Sequence, residues 1–195
     1  MTGISPLQSI HKKGLFGDHH KKNENQILNI TEVNNYAIIQ IFHYKNSKVD
    51  LNSINIDSLK FPLKNSEVSS NNKTRILWSA PNTWLLISQK EDVIKNIKKV
   101  CKDEDFAITD ISHSRAIIQI KGLQAKEVLK KGCPINFNEF DKNNCIGSVF
   151  HGITIVVDCL DNEPQTFNIL ALRSFGESLY NHITDASLEF GYDAI

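Results

Sequence analysis

The sequence has no excess charge of either sign: Lys and Arg total 22, Asp and Glu total 22, and the formal net charge is zero over 195 residues. Affinity for nucleic acid or an anionic membrane rests on surplus positive charge, so neither partner class is expected. No run approaches the length of a membrane span, and the first 22 residues contain no apolar core of signal-peptide length, so the expectation is a cytoplasmic protein. Glycine-rich phosphate loops are missing too. Neither G-x-G-x-x-G nor G-x-x-x-x-G-K-[ST] occurs, which leaves no sign that the chain binds its own dinucleotide or ATP. Cysteine is sparse: Cys101, Cys133, Cys145 and Cys159 are scattered without a C-x-x-C pair. They read as unpaired thiols, with Cys101 and Cys159 buried as small hydrophobes, and not as a zinc site or a disulfide framework. Zero net charge also gives little protection against association, which hints at a subunit of a complex.

What the chain does have is ordinary globular material, 41% hydrophobic and 23% charged residues, and enough length to bury a sizeable core. Residues 1–25 lack periodicity and read as an extended arm whose one apolar knob is Leu15-Phe16 between two glycines, a candidate docking element. His11, His19 and His20 sit in this arm without the rigid frame a metal site needs. Two strands, ILNITEV and YAIIQIF, follow around an Asn34-Asn35 turn, read as a hairpin. Residues 46–59 read as a weak helix or irregular crossing segment, and 64–73, Ser/Asn-rich and poor in apolar residues, as an exposed loop. TRILWS and TWLLIS flank Pro81-Asn82 as two further strands, with Trp78 and Trp84 in the core. A helix over 91–101 places Val93, Ile94, Ile97, Val100 and Cys101 on one face.

The second half repeats this programme. Ile30-Thr31-Glu32-Val33 answers Ile108-Thr109-Asp110-Ile111, AIIQI occurs at both 37–41 and 116–120, and Pro81-x-Thr83-Trp84 answers Pro164-x-Thr166-Phe167. The offset is roughly 80 residues, longer than the periods of solenoid repeats. A duplication follows: residues 26–104 and 105–195 as two β-β-α-β-β-α modules, split β-α-β relatives of ferredoxin-like type, in one compact α+β unit. The helix after Gly122 carries Ala125, Val128 and Leu129 on one stripe and is stopped by Gly132, as a left-handed cap, and Pro134. The last helix, 175–190, has a Ser174/Glu177 capping box, a stripe of Phe175, Leu179, Ile183, Ala186 and Phe190, and Gly191 as its stop.

Little of this carries chemistry. His113 and Arg115, two apart in the turn after Asp110, are the one pair resembling an acid–base constellation. Polar turns between strands are commonly filled this way, and a structural or interface role is the stronger reading. Lys130-Lys131-Gly132-Cys133 suggests an activated thiol, but a helix C-terminus disfavours a thiolate. Arg173, just ahead of Phe175 and the last helix, is placed to grip a carboxylate or phosphate, or a partner's carboxylate. Leu15, Phe16, His113, Arg115, Arg173 and Phe175 are therefore candidates for a subunit interface, with no catalytic, cofactor-binding or metal-ligating residue assigned.

Three stretches together resemble the gamma subunit of heterotetrameric sarcosine oxidase: residues 108–134 (ITDISHSRAIIQI…VLKKGCP), Trp78 with Pro81-Asn82-Thr83-Trp84-Leu85-Leu86, and Thr166-Phe167 with Arg173-Ser174-Phe175-Gly176-Glu177-Ser178-Leu179. The resemblance covers most of the chain from Leu77 onward. It implies a fold similar to the folate-binding domain of the glycine-cleavage T-protein. It implies partners, the alpha, beta and delta subunits, in a complex that demethylates sarcosine to glycine with oxygen as acceptor, forming hydrogen peroxide and methylene-tetrahydrofolate. FAD, FMN, NAD, zinc and tetrahydrofolate would be held by the other subunits, and this chain would be a non-catalytic structural subunit. The alternative is a stand-alone tetrahydrofolate-binding or aminomethyl-transfer protein of the T-protein type. Related folate-binding iron–sulfur repair proteins follow Lys-Gly-Cys with an aromatic residue and Gly-Gln-Glu. Here Pro134-Ile135-Asn136 follow Cys133, which tells against such a role for that cysteine.

Overall fold

The computed structural model describes residues 5–20 and 22–195. In chain order, β1 (Gly14–Phe16), β2 (Leu28–Glu32), β3 (Ala37–His43), β4 (Val68–Ser70), β5 (Thr74–Ala80), β6 (Thr83–Ser88) and α1 (Val93–Val100) make up the first half. The second half holds β7 (Phe106–Asp110), β8 (Arg115–Lys121), α2 (Ala125–Lys130), β9 (Cys145–Phe150), β10 (Ile153–Asn162), β11 (Gln165–Leu172), α3 (Gly176–Ser187) and β12 (Tyr192–Ala194). The architecture is mixed α+β with two sheets: a seven-stranded one ordered β1-β12-β2-β8-β11-β10-β9 and a five-stranded one ordered β4-β5-β6-β3-β7.

The compact units do not follow the sequence halves. One consists of residues 1–34 with 113–195, the other of Asn35–Ser112. The expected hairpin around Asn34-Asn35 does not form, because the first strand of each half pairs in the other half's sheet. β2 lies antiparallel to β8, with Ile30 opposite Ile120, and β7 lies antiparallel to β3, with Ile108 opposite Ile41. Asn35 takes the left-handed backbone (φ 64°) suited to a turn, but the turn redirects the chain and does not close a ladder. Position by position, the five strands β2-β8-β11-β10-β9 match β7-β3-β6-β5-β4. The duplication is therefore written into register: Ala37 faces Ser88 as Ala116 faces Ala171.

The repeat has three strands before its final helix, where two were expected. The missing one in the first half is β4, inside the Ser/Asn-rich segment read as a loop. Its backbone pairs only with β5, so an edge strand forms with little apolar content. Where the second half places α2, the first has a single 3-10 turn, Leu51–Ser53, with the Asp50 carboxylate accepting from Asn52 N–H at 2.9 Å.

Each unit has its own core. In the seven-stranded unit, Ile118 and Ile120 of β8 pack with Val128 and Leu129 of α2 and with Leu179 and Ile183 of α3. In the five-stranded unit, Ile39 and Ile41 pack with Val93 and Ile97 of α1, Trp84 and Phe106. Trp84 is buried and its indole donates to the Pro62 carbonyl at 2.8 Å, which meets the requirement that a buried N–H be paired. Val100, expected on the buried face of α1, is instead exposed.

Two of the three terminus signals turn out differently. The Ser174/Glu177 capping box is not made: a 3-10 turn, Arg173–Phe175, leads into α3, and Glu177 Oε1 instead accepts from Ser9 Oγ at 2.5 Å. Gly132 is not a left-handed cap. It sits in close approach, since a Cβ there would lie 2.7 Å from the His151 ring and the ring would have to shift. Gly191 does turn the chain with φ 69°, and carbonyls at the end of α3 and just beyond it are met by lysines. Lys22 donates to the Glu189 and Phe190 carbonyls at 3.3 and 3.2 Å, and Lys131 donates to that of Ala186.

The five-stranded unit also holds a polar network. Thr74 and Ser88, both fully buried, share a hydrogen bond at 2.9 Å, and Thr74 Oγ1 donates to Asp57 Oδ2 at 2.6 Å. Lys90 pairs with the other carboxylate oxygen. Lys90 first, then Thr74, hold the Asp57 carboxyl below its ordinary 3.8. A carboxyl depressed in the folded state stabilises above its unfolded pKa, and that contribution is lost as pH falls through the folded value. Asp57→Asn, which tolerates the left-handed backbone at this position (φ 56°) and removes the charge, is expected to cost roughly 1–3 kcal/mol at neutral pH. Denaturant titrations of both proteins should show the difference shrinking below pH 3.8.

Candidate functional site

The six candidate interface residues fall in two places. Leu15 and Phe16 lie on β1, at the edge of the seven-stranded sheet, paired with Asp193 and Tyr192 of β12. The arm is not free-standing: Leu7 is fully buried, and Phe16 stacks on Tyr192 with ring centroids 5.3 Å apart. The expected apolar knob is thus largely used within the chain, and only Leu15 remains exposed. The expected arm's residues 1–4 and 21 lie outside the described residues.

His113, Arg115, Arg173 and Phe175 gather at one end of the same sheet. The ladder causes this, because β8 begins where β11 ends and Arg115 faces Leu172 across the pair. His113 is exposed on the 3-10 turn Ser112–Ser114 that leads into β8. Arg115 is half-buried, and burial lowers its pKa. Phe175 is 47% exposed and Leu172 45%. Phe175 therefore leaves the buried stripe of α3, the helix beginning one residue later with Gly176 packed against Ala116 and Pro6. A groove of about 640 Å³ runs beside this end, lined by Ser5, Pro6, Ser114, Leu172, Arg173, Ser174 and Glu177. The sequence pointed to the arginines but missed Leu172. Its one signal there was an apolar residue at the last position of a strand, immediately before Arg173.

The arrangement offers little for acid–base or nucleophilic chemistry. The Asp110 carboxylate is committed to its own turn, accepting from the Ser112 N–H at 2.9 Å and the Ser112 hydroxyl at 2.6 Å. Ser112 Oγ in turn accepts from Ile38 N–H at 2.9 Å, so this serine pins the end of β7 to β3. Cys133 is buried, faces Ser148 Oγ at 3.4 Å, and burial pushes its thiol pKa up, against thiolate formation. Cys101 is pushed to about 12 for the same reason. All four cysteines are buried. Among the described residues no group of three or more His, Cys, Asp or Glu side chains could hold a metal ion, and no helix is long and apolar enough to cross a membrane. A second groove, about 660 Å³, lies at the far end of the sheet between Lys121-Gly122-Leu123 and Asn162–Gln165.

Two measurements check these placements. Phe16→Ala removes a half-buried ring and should cost roughly 2 kcal/mol, less than the 3–5 typical of a fully buried Phe. It should also speed hydrogen exchange at the amides that pair β1 with β12. Alkylation of the native chain at neutral pH should leave Cys133 unmodified until denaturant opens the core; rapid labelling of the folded protein would contradict the assigned burial.

Residues 52–189 match the sarcosine oxidase, gamma subunit family. The sarcosine oxidase subunit gamma of Corynebacterium sp. (strain U-96) is 28% identical over 120 residues, 60% of this chain and 58% of that protein. The matched segment thus spans little more than half the length of that relative. Among solved structures, a chain of the heterotetrameric sarcosine oxidase from Corynebacterium sp. U-96 superposes with a TM-score of 0.76 at 23% identity, over 86% of this chain and 87% of that one. The glycine cleavage system aminomethyltransferase T from Bartonella henselae shares the fold more distantly, with a TM-score of 0.60 at 11% identity over 80% of this chain and 45% of that one. These last two likenesses concern the fold. The family match covers well over half of the sequence, and the chain belongs to the sarcosine oxidase, gamma subunit family.

Proposed function

We propose that this chain is a non-catalytic structural subunit of a heterotetrameric sarcosine oxidase. There it would assemble with alpha, beta and delta subunits and support the oxidative demethylation of sarcosine to glycine, with formation of hydrogen peroxide and methylene-tetrahydrofolate. The observation that carries this reading is the family match across residues 52–189. Three features of the chain support the non-catalytic part. Its one candidate carboxylate, Asp110, is spent on Ser112; its thiols are buried; and the groove beside its polar turn has a single acidic lining residue among the described ones, Glu177, held by Ser9. On this reading FAD, FMN, NAD, zinc and the folate site belong to the partner chains. The T-protein-like fold, shared with the aminomethyltransferase, favours a second reading: a stand-alone tetrahydrofolate-binding or aminomethyl-transfer protein.

Co-expression with flavin-bearing subunits and size-exclusion chromatography separate the two. The expected outcome is co-elution of this chain with flavin absorbance in one peak, together with no saturable uptake of tetrahydrofolate by the isolated chain in calorimetry. An isolated, monodisperse monomer that ignores the flavin subunits and binds tetrahydrofolate tightly would replace the first reading with the second.

A further inference from the structure

The duplication supplies an internal control for the sheet end where Arg115 lies. In the five-stranded sheet Ala37 faces Ser88, and in the seven-stranded sheet Ala116 faces Ala171, so Arg115 and Leu172 occupy the positions of Tyr36 and Gln89. The first-half pair is self-sufficient: Gln89 Nε2 donates to the Tyr36 hydroxyl at 2.7 Å. The second-half pair is not. A leucine offers a guanidinium no acceptor, and the hydrogen bonds Arg115 does make are long ones to its neighbour Ser114, at 3.4 Å to the carbonyl and 3.5 Å to the hydroxyl. No carboxylate among the described residues pairs with it. A half-desolvated cation in this state has lost part of its hydration without regaining it from a counter-charge.

We propose that the sheet end formed by Arg115, Leu172 and the Arg173–Phe175 turn is a docking surface for an extended segment of a partner subunit that presents a carboxylate beside an apolar side chain. The inference rests on the subunit reading above and adds which surface is used and what it recognises. Charge complementarity selects the carboxylate, because a guanidinium fork matches its two oxygens. Arg173, already engaged within the chain, adds positive charge one residue beyond Leu172. The only acidic side chain lining the adjacent groove, Glu177, is held by Ser9. Leu172 and Phe175, each nearly half exposed, supply the apolar contact, and the groove beside them has room for side chains of an extended segment.

The test uses the full chain titrated into the flavin-bearing subunits, with affinity read by sedimentation or fluorescence. Arg115→Met, which keeps the stem and removes the charge, should weaken binding about 10–100-fold, and Arg115→Glu further. The isolated variants should keep the wild-type melting midpoint. Gln89→Glu, at the corresponding position of the other sheet, should bind as wild type. The salt dependence of wild-type binding should flatten in Arg115→Met. Unchanged affinity in Arg115→Glu would overturn the docking surface while leaving the subunit reading intact; a wild-type chain that binds no flavin subunit would overturn both. Unfolding of both Arg115 variants would show that the guanidinium serves this chain itself. A concentration-dependent homodimer lost in Arg115→Glu would assign the surface to a second copy. Either result would overturn the proposal.

Discussion

Strand exchange between the two halves is the constraint on which the rest of this structure depends. Ile30 faces Ile120 in one sheet and Ile108 faces Ile41 in the other, and each pair joins a strand of one half to the central AIIQI strand of its counterpart. All four isoleucines are apolar partners on a pleated surface; Ile30, Ile41 and Ile120 are fully buried, each contributing on the order of 1.5–3 kcal/mol. Backbone hydrogen bonding enforces the exchange, since an unpaired buried strand edge would be costly. A central strand with only one neighbour would expose such an edge. Ser112 secures the arrangement at the end of β7, accepting from Ile38 N–H while donating to Asp110.

From that shared frame the halves diverge. The seven-stranded sheet adds β12 and β1 beyond the exchanged strand, with Phe16 stacked on Tyr192, and so absorbs part of the N-terminal arm. The second half also carries α2 and the longer α3, where Lys131 donates to the Ala186 carbonyl and Lys22 to that of Phe190 just beyond the helix. Equivalent sheet ends differ in the same sense. Tyr36 and Gln89 satisfy one another, whereas Arg115 has Leu172 opposite it and makes only long hydrogen bonds to Ser114. That difference between equivalent positions is what the proposed docking surface rests on.

The sequence by itself determined the three helices, most of the strands, the internal repeat and the family, but not β1, β4 or β12. AIIQI at 37–41 and 116–120, the α2 stripe of Ala125, Val128 and Leu129, and the Trp84 strand all form as their periodicity dictates, because local pattern and burial agree at those positions. Much of what differs involves a competing tertiary demand. Asn34-Asn35 has turn chemistry, but the register of the exchanged strands, not the turn, decides the partner of β2. Gly132 reads as a cap, yet a side chain there would have to shift the ring of His151. Glu177 stands at capping-box spacing, yet Ser9 competes for its carboxylate from 168 residues away in the chain. Only the tertiary structure could bring Arg115 beside Leu172. Cross-strand register is a long-range property, set by which distant strand fills an edge, and no local window of sequence records it.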